Sequence, residues 1–137
     1  MSKYKIIVRG EADAKIGEDW KRITNLKDLE KLNGIDCQDK FSDYFDSDST
    51  YKNSVTGGYM DFKFENKKLW TYTKYNSDRL LTDEELHDLL EYTQGQWSDG
   101  IGEGFEQNPC YEINGQEVFI SPWFFGQEIS IKQIKHN

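Results

Sequence analysis

Two hairpin patterns in the second half of the chain constrain its fold most strongly. In the first, ring and polar residues alternate over 59–65 and 69–75, on either side of a polar segment at 66–68. A period of two is typical of β-strands, because successive side chains point to opposite faces of a sheet. The pattern predicts a hairpin near 59–75.

The second hairpin pattern carries the stronger turn signal. Asn114 and Gly115 separate the short segments 110–113 and 116–120. An Asn-Gly pair favours the type I′ turn, which needs a positive φ at both central residues. We therefore expect a hairpin near 110–120. Two further strands are predicted, one at 3–9 and one at 128–134.

A short amphipathic helix is predicted at 25–33. Leu26, Leu29 and Leu32 share one face at helical spacing, and Gly34 follows as a C-terminal stop signal. The polar, acidic segment 36–54 that comes next is expected to be a surface loop or a short helix held in place by its rings, Phe41, Tyr44 and Phe45.

The strongest helix signal lies at 82–94. Thr82 and Glu85 have the spacing of a capping box, in which each side chain satisfies a backbone N–H of the other residue. Leucines recur on one face, and Gly95 is expected to end the helix.

The chain of 137 residues has the length of one domain and shows no internal repeat. Only 36% of its residues are apolar, but 15% are aromatic, so rings are expected to carry much of the burial. These patterns together predict a single α+β domain: an antiparallel sheet with hairpins near 59–75 and 110–120, and one or two packed helices near 25–33 and 82–94.

Charge is distributed very unevenly along the chain. Between Arg79 and Lys132 there is no lysine or arginine, although the formal net charge of the whole protein is only −8. The segment instead holds a run of carboxylates: Asp83, Glu84, Glu85, Asp88, Glu91, Asp99, Glu103, Glu106, Glu112, Glu117 and Glu128. A field of one sign repels nucleic acid and anionic lipid and attracts basic surfaces. We therefore expect no direct contact with nucleic acid or membrane.

Aromatic side chains in the same segment suggest anchors for a protein interface. They are Trp97, Phe105, Trp123, Phe124 and Phe125. Aromatic residues are enriched at interfaces, where charged rims set specificity and association rate. The alternative interpretation is that the acids form a solvated face and the rings lie in the core.

The glycine-rich stretch at 95–106 supports a second hypothesis. Its G-x-G-x-G spacing at Gly100, Gly102 and Gly104 differs from the phosphate-binding motif and follows a helix instead of opening one. Nearby acids could hold a hard cation or perform acid–base chemistry, so a small ligand- or metal-binding domain or a carboxylate-based enzyme remains the alternative. The favoured hypothesis, a protein interface formed by the acids and rings, needs no catalytic residue, metal or cofactor.

The two cysteines, Cys37 and Cys110, are far apart in sequence and belong to no CxxC motif. Two free thiols in a reducing cytoplasm are expected, and a single disulfide is the alternative. Neither a signal peptide nor a spanning segment is predicted. We expect a cytoplasmic protein.

Segment 80–109 resembles stretches in small proteins of phages and bacterial mobile elements. Small acidic proteins of such elements often antagonise host-defence nucleases, so the resemblance implies an anti-CRISPR or anti-restriction inhibitor. The hypothesis is a non-enzymatic protein-binding module that occupies the basic surface of a nucleic-acid-handling protein, as a DNA mimic does. Its predicted partner-binding residues are Glu84, Asp88, Glu91, Trp97, Asp99, Glu103, Phe105 and Glu106.

Overall fold

Two four-stranded antiparallel sheets and two helices make up the computed structural model, which describes residues 3–35, 55–95, 111–121 and 128–136. The elements are β1 (Tyr4–Glu11), β2 (Asp13–Ile16), β3 (Lys21–Arg22), α1 (Leu26–Glu30), β4 (Val55–Glu65), β5 (Lys68–Ser77), α2 (Asp83–Gly95), β6 (Tyr111–Ile113), β7 (Gln116–Ser121) and β8 (Ile129–Lys135). The first sheet has the order β4-β5-β1-β8 and the second β3-β2-β7-β6. The predicted α+β class is confirmed.

The strands form two sheets instead of the single sheet that was expected. The chain leaves β1 after Glu11, passes Ala12 and enters β2, where it pairs with β7. Ala12 N–H still donates to the Leu69 carbonyl of the first sheet, at 2.9 Å. One continuous extended segment thus serves both sheets. The strand predicted at 3–9 covers most of β1, but β2 was not predicted, and alternation alone does not say which strand pairs with which.

The first hairpin, β4–β5, is confirmed, with a tighter turn than predicted. Glu65 pairs with Lys68, so only Asn66 and Lys67 form the turn. Their φ values of 53° and 64° are the left-handed values of a type I′ turn. β4 also begins earlier than predicted, and a register shift follows Gly57, whose φ is 107°.

The second hairpin, β6–β7, is confirmed with its predicted turn. Asn114 and Gly115 have φ values of 53° and 81°. Both central residues therefore adopt the left-handed conformation that the Asn-Gly pair was expected to favour.

Helix α1 is shorter than the predicted 25–33. The Asn25 side chain caps it by accepting from Lys27 N–H at 2.9 Å. After Glu30 the backbone tightens into i→i−3 hydrogen bonds, as at Leu32 N–H to the Leu29 carbonyl. Gly34 then donates to the Phe62 carbonyl on β4 at 2.9 Å. Contact with the sheet edge replaces the last helical turn. Helical spacing alone does not show that a hydrogen bond to β4 competes with continuation of the helix.

Helix α2 begins with the predicted capping box and runs to Gly95, where this described range stops. Thr82 N–H donates to Glu85 Oε1 at 3.0 Å, and Glu85 N–H donates to Thr82 Oγ1 at 3.2 Å. Arg79 joins this arrangement, because its Nη1 donates to Glu85 Oε1 at 2.8 Å. The Arg79 guanidinium, together with the Thr82 backbone, lowers the pKa of Glu85 to about 2.

We expect Glu85→Gln to remove a pH-dependent part of the stability. A carboxylate with a depressed pKa in the folded protein contributes its full stabilisation above its unfolded pKa and loses it as the pH falls towards the folded value. The wild type should therefore be more stable than Glu85→Gln at neutral pH, and the difference should shrink between about pH 4.5 and pH 2. Urea denaturation at a series of pH values measures this.

The matched control is Glu84→Gln, which removes one charge from the same helical turn but leaves the capping box in place. A stability difference from the wild type that is equally pH-dependent in both variants would contradict the role given to Glu85.

The core lies between the inner face of the first sheet and α2. Ile6, Phe62 and Leu89 are fully buried there. Tyr75 and Thr93 form a buried hydrogen bond of 2.7 Å between sheet and helix. The Thr93 hydroxyl donates to the Leu89 carbonyl, so Tyr75 must be the donor to Thr93. Apolar residues of the second sheet belong to the same cluster, which is therefore continuous through both sheets.

Candidate partner-binding surface

Three predicted contact residues lie together on the outer face of α2. Glu84, Asp88 and Glu91 are exposed and follow one another at helical spacing, away from the buried Leu89. The His87 ring lies 2.9 Å from the Glu91 carboxylate, from His87 Nε2 to Glu91 Oε1. The three acids share an exposed face, as predicted, and their role in partner binding stays a prediction.

The other predicted contacts lie outside the described residues. They are Trp97, Asp99, Glu103, Phe105 and Glu106. Both cysteines, most of the glycine-rich stretch and the rings at 123–125 also lie outside that part of the chain. Their predicted roles stay predictions.

An exposed tryptophan that the sequence patterns did not single out marks a second surface. Trp20 is 42% exposed at the end of the β2–β3 loop and has a φ of 51°. A bulky residue in the left-handed region is a genuine backbone outlier, because its Cβ crowds the following carbonyl. Such strain concentrates at functional sites.

The loop holds Trp20 in a defined position. Trp20 N–H donates to the Gly17 carbonyl at 3.1 Å, and Gly17 N–H donates to the Glu117 carbonyl at 3.0 Å. The Trp20 ring packs against Phe119 of β7, with the ring centroids 5.8 Å apart. One side of the indole is thus fixed by the second sheet while the ring remains accessible.

Carboxylates share a depression with this ring. Glu18, Asp19 and Glu117 line a shallow depression of about 800 Å³ together with Trp20 and Phe119. We call these five residues the Trp20 surface. Two bases lie nearby: Lys15, whose Nζ is 5.9 Å from the Trp20 ring centroid, and the exposed Lys21, which follows Trp20 in the chain. Acids therefore outnumber bases around an aromatic anchor. The sequence had predicted this combination at Trp97 and Phe105 instead. The Trp20 surface could have been located from the sequence 17–20, in which a glycine, two acids and a tryptophan follow one another.

The outer face of the first sheet carries more bases than acids, since six bases share it with Glu11, Asp61 and Glu65. The strand registers bring these bases to that face: Lys5, Arg9, Lys63, Lys68, Lys74 and Lys132. Some are engaged within the sheet, since Lys74 Nζ lies 3.2 Å from an Asp61 carboxylate oxygen. Because α2 packs on the inner face, the acidic helix face and these bases lie on opposite sides of the sheet. The protein is electrically polarised across this sheet.

The rings of this outer face are occupied by neighbouring side chains. The Arg9 guanidinium lies 3.7 Å from the Trp70 ring centroid, and Trp70 is only 3% exposed. Tyr72 donates to a Glu65 carboxylate oxygen at 2.8 Å. Burial and this carboxylate raise the pKa of Tyr72 to about 12. These contacts stabilise the sheet, and Trp70 offers no open face for stacking a base.

Comparison of the chain with protein-family models, curated proteins and solved structures found no match. In the described ranges, no helix has both the length and the apolar character needed to cross a membrane. The same ranges contain no cluster of three or more histidine, cysteine or acidic residues arranged to bind a metal ion. Function is therefore argued from the geometry of the described surfaces.

Proposed function

We propose that this protein is a non-enzymatic module that binds a basic surface of another protein. The observation that carries the proposal is Trp20, an exposed ring in a left-handed backbone conformation with carboxylates around it. Tryptophan is among the residues that dominate binding energy at protein interfaces. Its ring also attracts a guanidinium or ammonium through cation–π interaction.

The acids would act mainly on specificity and association rate. Rim carboxylates steer a basic partner towards the anchor and repel an acidic one. Glu84, Asp88 and Glu91 extend the negative field on a second part of the surface. Since the basic sheet face lies on the other side from α2, the protein would approach a basic partner in a preferred orientation.

The kind of partner remains a proposal based on charge. Surfaces rich in lysine and arginine occur on proteins that hold nucleic-acid phosphates. The proposed partner is therefore a nucleic-acid-handling host protein, and the proposed role is that of a phage or mobile-element inhibitor that occupies its phosphate-binding surface. Trp97, Asp99, Glu103, Phe105 and Glu106 are proposed to contribute further contacts.

The test is capture of partners from a bacterial lysate by the tagged protein, followed by competition with double-stranded DNA. A partner that is held through its phosphate-binding surface should be released by excess DNA and by high salt. Retention of the partner in the presence of excess DNA would contradict the proposed mimicry. Failure to recover any basic protein would contradict the proposed function itself.

Two charge-matched variants locate the contact. One reverses Glu18, Asp19 and Glu117 to lysine, and the other reverses Glu84, Asp88 and Glu91 to lysine. We expect the first to weaken binding to the captured partner by at least tenfold, because like charges across an interface repel. The second should have a smaller effect, mainly on the association rate. Surface plasmon resonance measures both, and equal affinity of the first variant and the wild type would remove the Trp20 surface from the proposal.

A further inference from the structure

A cavity of about 250 Å³ lies where β1 passes into β2, apart from both acidic surfaces. Its charged lining residues are Glu11, Asp13, Arg22, Lys67 and Lys68. The size is just below the range of about 300–1,000 Å³ that is typical of pockets for drug-sized ligands. It suits a smaller molecule.

Two buried carboxylates form the polar centre of this cavity. The Glu11 side chain is only 9% exposed, and that of Asp13 is 10% exposed. Asp13 is paired, because Arg22 Nε donates to its Oδ1 at 2.9 Å. Burial nevertheless raises the pKa of Asp13, and the charges of Arg22 and Lys15 offset only part of this effect. Asp13 therefore has a charged partner within the protein.

Glu11 lacks such a hydrogen bond. Its Oε2 is buried and accepts no hydrogen bond from any described residue. The nearest cation is Lys68, whose Nζ lies 3.7 Å away, beyond hydrogen-bonding distance. The Lys68 ammonium forms an ion pair with Glu11, but a buried carboxylate oxygen without a hydrogen bond is still costly, since its desolvation is only partly compensated. A ligand ammonium at this point would supply the missing donor.

The remainder of the cavity defines the other parts of such a ligand. Lys67 lines the cavity and is exposed, and the Lys68 side chain is 44% exposed, so both ammonium groups can face a ligand carboxylate. The other walls are apolar and include Ala12, Ile23 and Leu29. Opposite charges that lie next to each other, with apolar residues in the same lining, match an amine and a carboxylate on one small molecule.

We propose that this cavity binds a small zwitterion, namely a free α-amino acid with an apolar side chain. Its ammonium donates to Glu11 Oε2, its carboxylate meets Lys67 and Lys68, and its side chain lies against the apolar wall. The site does not depend on partner binding through the Trp20 surface, so either proposal can fail alone.

The test is titration of ¹⁵N-labelled wild-type protein with L-alanine, L-valine and L-leucine, followed by amide chemical shifts and by calorimetry. We expect at least one of them to shift the amides of 11–14 and 22–24 in a saturable manner. Leucinamide lacks the carboxylate and N-acetyl-leucine lacks the ammonium, so both should bind at least about tenfold more weakly than leucine. Equal binding of either analogue, or no saturable shift with any amino acid, would overturn the proposal.

Glu11→Gln tests the proposed contact directly. It preserves size but removes the charge, and we expect affinity to fall about ten- to a hundredfold. The control is Glu112→Gln, which removes the same charge from an exposed position on β6 and should bind like the wild type. Wild-type affinity in Glu11→Gln would overturn the assignment. The titration of unmodified protein decides the matter even if the variant folds poorly.

Discussion

Trp20→Ala is expected to weaken binding of the captured basic partner by about thirtyfold or more, corresponding to about 2 kcal/mol at an interface hot spot. The ring is 42% exposed, lines a depression together with three carboxylates and packs against Phe119. Its removal takes away both the apolar anchor and the π face that a partner arginine would meet. Isothermal titration calorimetry with the purified partner measures the loss.

Stability measurements on two variants separate binding from folding. Trp20→Ala and Trp20→Gly both lack the ring, but only glycine adopts the φ of 51° without strain. Trp20→Gly should therefore be more stable than Trp20→Ala by about 1 kcal/mol, while both bind equally poorly. Full affinity in either variant would show that Trp20 is not the anchor.

Phe62→Ala is expected to destabilise the protein by about 3–5 kcal/mol, the largest effect of any change proposed for this chain. Phe62 has no exposed surface and lies in the interior of β4, where it pairs with Thr71. Its backbone N–H also donates to the Ile35 carbonyl at 3.1 Å, so the segment after α1 packs at the same place. Removal of the ring leaves a cavity that fixed backbone on both sides cannot close.

Urea denaturation gives the size of this effect. The control is Ile134→Ala, since Ile134 is 40% exposed on β8, and surface substitutions usually change stability by less than about 0.5 kcal/mol. A loss below about 1 kcal/mol for Phe62→Ala would mean that the packing around Phe62 is looser than described.

Local sequence signals predicted the elements whose structure depends on near neighbours. The Asn114–Gly115 turn and the Thr82–Glu85 capping box were confirmed because each is decided within about four residues. The helix predicted at 25–33 was too long at its C-terminal end. There the edge of β4, distant in sequence, takes over the backbone hydrogen bonds at Gly34.

The candidate surfaces also divide into those set by near neighbours in sequence and those set by distant contacts. Helical spacing correctly predicted that Glu84, Asp88 and Glu91 share an exposed face. Trp20 was missed, because its exposure depends on a four-residue loop that folds over β7. The Glu11 cavity was also missed. Two acids with one residue between them are unremarkable in an acidic chain until a change of sheet buries both.

The sequence by itself determined the secondary structure at strong local signals, the α+β class and the segregation of charge along the chain. Only the tertiary structure decided how the strands divide between two sheets, which charges face one another, and which carboxylate is buried without a hydrogen bond. The physical reason is the separation in sequence between the residues whose contacts decide each feature. Turns and caps are set by contacts between near neighbours, whereas burial and strand pairing depend on the whole chain closing around one core.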